Sequence, residues 1–153
     1  MRSRLSIAIE TALMIGICSG IARASEQRIN YGDLPPAVQQ TVQKEIQAAT
    51  VKGYSKEVEH GKVRYEVEMT VDGKTRDVSI DPSGKVVEVE QEVSPEAVPP
   101  AAMAAIKKGV KGGSVLKVEE VKSDTETVYE AQVLSKGRYR EIRVHADGSA
   151  APE

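Results

Sequence analysis

Between Val63 and Val71 every second residue is apolar: Val63, Tyr65, Val67, Met69 and Val71 alternate with Arg64, Glu66, Glu68 and Thr70. Successive side chains of a strand point to opposite faces, so this pattern dictates a strand with one buried and one wetted side. Asp72-Gly73 follows, the residue pair suited to the positive φ angles of a two-residue hairpin turn, and Val78 and Ile80 resume the alternation. Asp81-Pro82-Ser83-Gly84 reads as a second turn, after which Val87 and Val89 carry a third strand through Glu90. The stretch is therefore a β-meander with one apolar side.

Upstream, Leu34-Pro35-Pro36-Ala37 reads as a helix start, because proline at the first turn gives up an N–H that would have no partner there. Val38, Val42, Ile46 and Ala49 recur at helical spacing and form one apolar stripe. A strand from Val51 to about Glu59 then leads through His60-Gly61 into the meander. Residues 25–33 are polar and read as a poorly ordered entry segment. Shifting the sequence by 64 residues carries Leu34-Pro-Pro-Ala onto Val98-Pro-Pro-Ala101, Tyr65-Glu66 onto Tyr129-Glu130, and Gly73, Arg76 and Gly84 onto Gly137, Arg140 and Gly148. Matches at a helix start, a strand centre and turn glycines point to duplication. The fold class expected is α+β, in two tandem units at 34–92 and 98–153 joined by a linker at 93–97. Each unit is one helix packed on an antiparallel meander of roughly three or four strands. The second helix, Pro99 to about Val110, is expected to be shorter and frayed at its glycine-rich end. The second unit lacks the last strand, which leaves Arg138 to His145 at an edge open to β-pairing, by a partner or by a second copy in a homodimer.

The pattern Leu34-Pro-Pro-Ala-Val38, then Tyr65-Glu-Val-Glu68, Asp72-Gly-Lys74 and Asp81-x-x-Gly84-Lys85-Val86-x-Glu88-Val89 resembles the PepSY and PepSY-like (β-lactamase-inhibitor-like) domains. The resemblance implies a small non-catalytic module of the bacterial envelope or exterior, a helix on a curved antiparallel sheet. Related modules occur in propeptides of secreted metallopeptidases, and a tandem of similar units forms a β-lactamase inhibitor. It implies a protein partner, such as a secreted or periplasmic enzyme that the chain inhibits or chaperones, or a more general envelope interaction or sensing role. No catalytic residue is carried over.

Arg2 and Arg4, the apolar run Ile7 to Ile17 and Ala22-Arg23-Ala24 read as a signal peptide over 1–24, cleaved after Ala24, which implies a periplasmic or secreted protein without stable membrane anchoring. The run falls short of the roughly 20 apolar residues that a membrane span needs. Acylation at Cys18 is disfavoured because Ile17, not a small residue, precedes it. The leader holds three of the 21 basic side chains (Arg2, Arg4, Arg23) and one of the 23 acidic ones (Glu10), leaving 18 and 22. That balance argues against nucleic acid and anionic membranes as partners. Residues 25–153 contain no cysteine, so the fold must stand on packing without disulfides.

The same segment lacks a nucleophile paired with a positioned base, which argues against a hydrolase. His60 beside Gly61 reads as a turn residue, and His145 with Asp147 is a poor metal site, since zinc normally takes at least three protein ligands. Asp81 to Gly84 lacks the calcium-loop spacing. Neither a metal nor a cofactor is implied. Glu57, Glu59, Glu66, Glu68, Glu88 and Glu90 alternate on strands and read as a solvated face screened by Lys62, Arg64 and Arg76. Arg76 and Arg140 share parity with the apolar positions and belong at the rim of the core. Tyr65 and Tyr129 read as core residues. The residues expected to contribute to a polar protein interface are Arg64, Glu66, Glu68, Lys74, Arg76 and Arg140.

Overall fold

The computed structural model describes residues 26–59 and 61–152. Residues 1–24, read above as a signal peptide, with Cys18 among them, and His60 lie outside the described residues. Eight strands form one antiparallel sheet in sequence order: β1 Gln27–Ile29, β2 Thr50–Glu59, β3 Lys62–Val71, β4 Lys74–Ile80, β5 Val86–Val93, β6 Ser114–Ser123, β7 Thr127–Ser135 and β8 Arg138–His145. Two helices, α1 Pro36–Glu45 and α2 Pro100–Val110, lie on the same face of it. The expectation of two tandem helix-on-meander units is therefore corrected: β5 pairs with β6 from Glu88↔Ser123 to Val93↔Val118 and fuses the halves into one sheet. A meander of three or four strands leaves its last edge unpaired, and here that edge is satisfied by the next strand in the chain.

Other expectations change with it. The described part of the expected loose entry, from residue 27 to 33, is ordered: Gln27–Ile29 pairs with Lys56 to Tyr54, and Tyr31–Asp33 forms a 3-10 turn closed by reciprocal Asn30 and Asp33 contacts. The linker at 93–97 is also structured, with Val93 in β5 and Pro95–Ala97 a second 3-10 turn. α2 is not the shorter helix, at 11 residues against 10 for α1, and it ends cleanly at Lys111 in the left-handed conformation (φ 50°) followed by Gly112.

The turns form as their residues require. Asp72 (φ 51°) and Gly73 (φ 79°) supply both positive angles of the β3–β4 hairpin. Asp81 Oδ1 accepts hydrogen bonds from the N–H groups of Ser83 and Lys85. Gly84 (φ 89°) brings this turn onto α1, where a Cβ would stand 2.7 Å from the carbonyl oxygen of Ala37; Gly148 meets Ala101 at the same distance. Bulges at Val51/Gly53 and Val115/Lys117 also lie 64 residues apart. The internal likeness read from the sequence thus marks equivalent positions within one continuous sheet.

Leu34, Val38 and Val42 pack on Val67, Met69, Val78 and Ile80, and Val98, Ala102, Ile106 and Val110 pack on Val118, Tyr129, Ala131, Val133 and Val144. Burying one such aliphatic side chain stabilises the fold by about 1.5–3 kcal/mol. β5 serves both clusters, Val89 touching the first and Val93 the second. Both helices lie on one side, and among the described residues the other side of the sheet carries no helix.

Candidate functional site: the helix-free face of the sheet

Strand parity opposite to the core residues places Ser55, Glu57, Arg64, Glu66, Glu68, Thr75, Asp77, Ser79, Glu88, Glu90, Glu92, Glu119 and Glu130 on the helix-free face. The register aligns carboxylates directly across neighbouring strands. Glu68 pairs with Asp77 and Asp77 with Glu90; in the next row Glu92 pairs with Glu119, and Glu119 with Glu130. Like charges directly opposite on adjacent strands repel. This arrangement works against the sheet's own stability.

Burial deepens the conflict. Although no helix among the described residues covers this face, Glu119 is only 2% exposed and Ser55 is fully buried. A carboxylate shielded from water binds its proton more tightly, and a neighbouring carboxylate adds to the effect. Burial, then Asp77, Glu57 and Glu68, push Glu66 up to about 8. Glu90 is likewise raised to about 8 by burial and by Glu130 and Glu119. Burial and Glu141 raise Glu130 to about 7 against the opposing pull of Arg143. Asp77 rises to about 6 through burial, Glu119 and Glu68, with Lys117 opposing.

Cations offset part of this. Arg28 Nη2 lies 2.9 Å from Glu68 Oε1 and donates to Oε2 at 3.0 Å. Its guanidinium passes over Gly53, where a Cβ would stand 1.8 Å from Nη1, so a larger residue there would push the Arg28 side chain aside. Lys117 Nζ is 2.6 Å from Glu119 Oε1. The Thr75 hydroxyl lies within reach of both Glu92 (3.2 Å) and Glu119 (3.1 Å), and its single proton serves one of them at a time. Arg143 Nε sits 3.3 Å from Glu130 as an ion pair and is buried without a hydrogen-bond partner. Oxygens of Asp77, Glu90 and Glu119 lie within 4.8 Å of one another, an oxygen-only set of the kind that suits a hard cation, but the Lys117 ammonium already supplies charge there.

The residues named from sequence divide between the two faces. Arg64, Glu66 and Glu68 lie on the helix-free face, whereas Arg76, Lys74 and Arg140 have the parity of the core. Arg76 Nη2 is 2.9 Å from Glu45 of α1, and Arg140 Nη2 donates to the Gly109 carbonyl of α2. Arg76 therefore cannot screen the carboxylates of the other face, and that part of the sequence reading is corrected, as is, for Glu66 and Glu90, the picture of solvated carboxylates. Asp77, Glu119 and Glu130 were missed: each was visible as an acid at open-face parity, but the register that stacks them was not. Tyr129 is buried, Tyr65 partly so, both on the core side. Near the β8 turn, His145 Nδ1 stands 3.8 Å from Glu126, while Asp147 accepts hydrogen bonds from Ser149.

No family model matches this chain, and a search of curated proteins finds no relative. The expected PepSY assignment is accordingly withdrawn. Among solved structures, the chain is similar to a BLIP-like protein of Bacteroides fragilis (25% identity, TM-score 0.58, covering 80% of this chain and 87% of that one). It is also similar to a DUF2874 family protein of Bacteroides uniformis (20%, 0.61, 77% and 86%). A third likeness is to a protein of Bacteroides eggerthii proposed to be periplasmic (18%, 0.63, 78% and 86%). What the chain shares with these structures is the fold.

Proposed function

We propose that this is a periplasmic protein that works by binding and not by catalysis, capturing a folded partner through the helix-free face of its sheet. The observation that carries this reading is the pair of carboxylate rows, Glu68–Asp77–Glu90 and Glu92–Glu119–Glu130. A surface that holds like charges opposite one another is relieved when lysine or arginine groups of a partner settle on it. The partner expected is therefore one with a basic surface. Size is adequate: eight strands about 4.8 Å apart span about 34 Å, enough for the ~800 Å² per partner of an ordinary stable interface. Support for a periplasmic location comes from the Arg2–Ala24 leader and from the Bacteroides eggerthii neighbour. Among the described residues, no helix is long and apolar enough to cross a membrane. Inhibition of an exported enzyme is the narrower form of the proposal, and the captured protein's activity with and without this chain decides it.

Capture from a cell-envelope extract tests the reading. Replacing three acids of the face without reversing their charge (Glu68→Gln/Glu88→Gln/Glu90→Gln) is expected to weaken binding at least tenfold, and raised salt to weaken it for the unsubstituted chain. Substituting Lys107→Glu and Lys108→Glu on the helix side leaves it unchanged. A partner held equally well by the glutamine variant contradicts the assignment of this face.

A further inference from the structure

Positive charge gathers at one end of the sheet, in the second half of the chain. β6 starts there, β7 ends and β8 begins, with Ser114 across from Leu134, Leu134 from Tyr139 and Ser135 from Arg138. The last turn of α2 comes down onto the same end. Arg140 Nη2 donates to the Gly109 carbonyl at 3.3 Å, and a Cβ on Gly113 would stand 2.1 Å from the Leu134 carbonyl oxygen. Lys108, Lys111, Lys136, Arg138 and Arg140 are all exposed at this corner, and segments 97–118 and 131–140, which build it, contain no acidic residue. The acidic excess that argues against an anionic membrane is therefore an average over the chain, with the carboxylate rows on the helix-free face and these cations gathered at one end.

The equivalent corner of the first half shows that the fold itself does not require this charge. At the positions 64 residues earlier stand Lys44, Gln47, Asp72, Lys74 and Arg76, and Glu45, in the place of Gly109, holds Arg76 at 2.9 Å. Acids temper the cations there; here glycine replaces the acid. Lys111 (φ 50°) and Lys136 (φ 52°) also hold left-handed backbone, which glycine, asparagine or aspartate adopts more readily, so the turns do not call for lysine. The five cations spread over a helix end, a hairpin turn and a strand, an arrangement that suits a charged plane better than a small anion. Beside them, Leu116 in the β6 bulge is 50% exposed and Tyr139 is 52% exposed. Lysine and arginine around an exposed aliphatic side chain and a tyrosine are the chemistry of a peripheral membrane contact, the cations on headgroup phosphates and the tyrosine ring at headgroup level. We infer that this corner docks the protein reversibly on a bilayer rich in anionic phospholipid. The contact uses none of the carboxylates of the helix-free face, so the two proposals stand or fall independently.

The probe is a vesicle of equal parts phosphatidylglycerol and phosphatidylcholine, floated with the protein recovered from a periplasmic extract and compared with vesicles of phosphatidylcholine alone. Binding is expected on the anionic vesicles only, and is expected to be lost in about 1 M salt, where the screening length falls to about 3 Å. Each basic side chain held near an anionic bilayer is worth about fivefold in affinity, so Lys111→Gln/Lys136→Gln/Arg138→Gln is expected to weaken binding at least tenfold. Lys44→Gln/Lys52→Gln/Lys74→Gln removes the same charge from the first half and leaves binding unchanged, and Glu68→Gln/Glu88→Gln/Glu90→Gln on the helix-free face does not weaken it. The comparison of lipids uses the unsubstituted protein and so does not depend on how any variant folds. Failure to bind the anionic vesicles, equal binding to phosphatidylcholine alone, or full binding by the variant of this corner overturns the proposal. So does capture of soluble polyglutamate in preference to the vesicles, which assigns the corner to an acidic protein instead.

Discussion

Raising the pH from 5.5 to 8.5 is expected to lower the melting temperature of this protein by about 10 °C, opposite to the usual gain as carboxylates ionise. The sign follows from the helix-free face. Glu66, Glu90, Glu130 and Asp77 hold their protons up to about 8, about 8, about 7 and about 6 in the folded chain, against ordinary values of 4.5 for glutamate and 3.8 for aspartate. Between those limits the folded state binds more protons than the unfolded one, so stability falls as pH rises. The loss begins above the unfolded values and is complete above about 8. One pKa unit corresponds to ~1.4 kcal/mol, but protonating one acid relieves its neighbours, so we expect about 3 kcal/mol in total. Glu90→Gln removes one charge from the centre of a row and is expected to stabilise the fold by about 1–2 kcal/mol at pH 8.5, while flattening the dependence. Thermal denaturation across this range checks both. Stability that rises above pH 6, or a glutamine variant weakened at pH 8.5, contradicts the electrostatic account.

The second large effect concerns the core beneath α2. Ile106 is fully buried among Ala102, Val118, Ala131 and Val133, and truncation to alanine is expected to cost about 3–4 kcal/mol. The form of the transition is as informative as its size. β5 packs Val89 into the α1 cluster and Val93 into the α2 cluster, and its ladder with β6 joins the halves. Ile106→Ala is therefore expected to lower the stability of both halves together, in one transition reported equally by β3 and β7 amides. A variant in which the α1 half melts at its original temperature contradicts the single-sheet description.

Much of this architecture is legible in the residues, for reasons specific to each element. β3 and β4 read clearly because Val63 through Val71 alternate, Asp72-Gly73 turns the chain, and Val78 and Ile80 resume the pattern after Lys74 and Arg76, and the helix starts read from their paired prolines. Those signals are local. The fusion of the halves is not: Gln91-Glu92-Val93 looks like the frayed end of a strand, and only pairing with Glu120-Glu119-Val118 makes it a sheet interior. β1 escaped for a related reason, since Gln27-Arg28-Ile29 is too short and polar to announce a strand and is held by Tyr54 to Lys56. The candidate site was half visible. Alternation placed Glu66 and Glu68 on the open face, but register decides whether an acid faces a lysine or another acid, and register is a property of two strands. Asp77 opposite both Glu68 and Glu90 could not be read from any one of them.

The central claim is that the open face carries acids that cannot all ionise together until something basic meets them. Site-resolved titration of the side-chain carboxyl carbons by NMR tests it most directly. The account predicts that Glu66 and Glu90 titrate near pH 8, with Glu130 near 7 and Asp77 near 6. Midpoints below 5 for all four would contradict it, because the face would then be an ordinary solvated surface with no electrostatic reason to seek a partner.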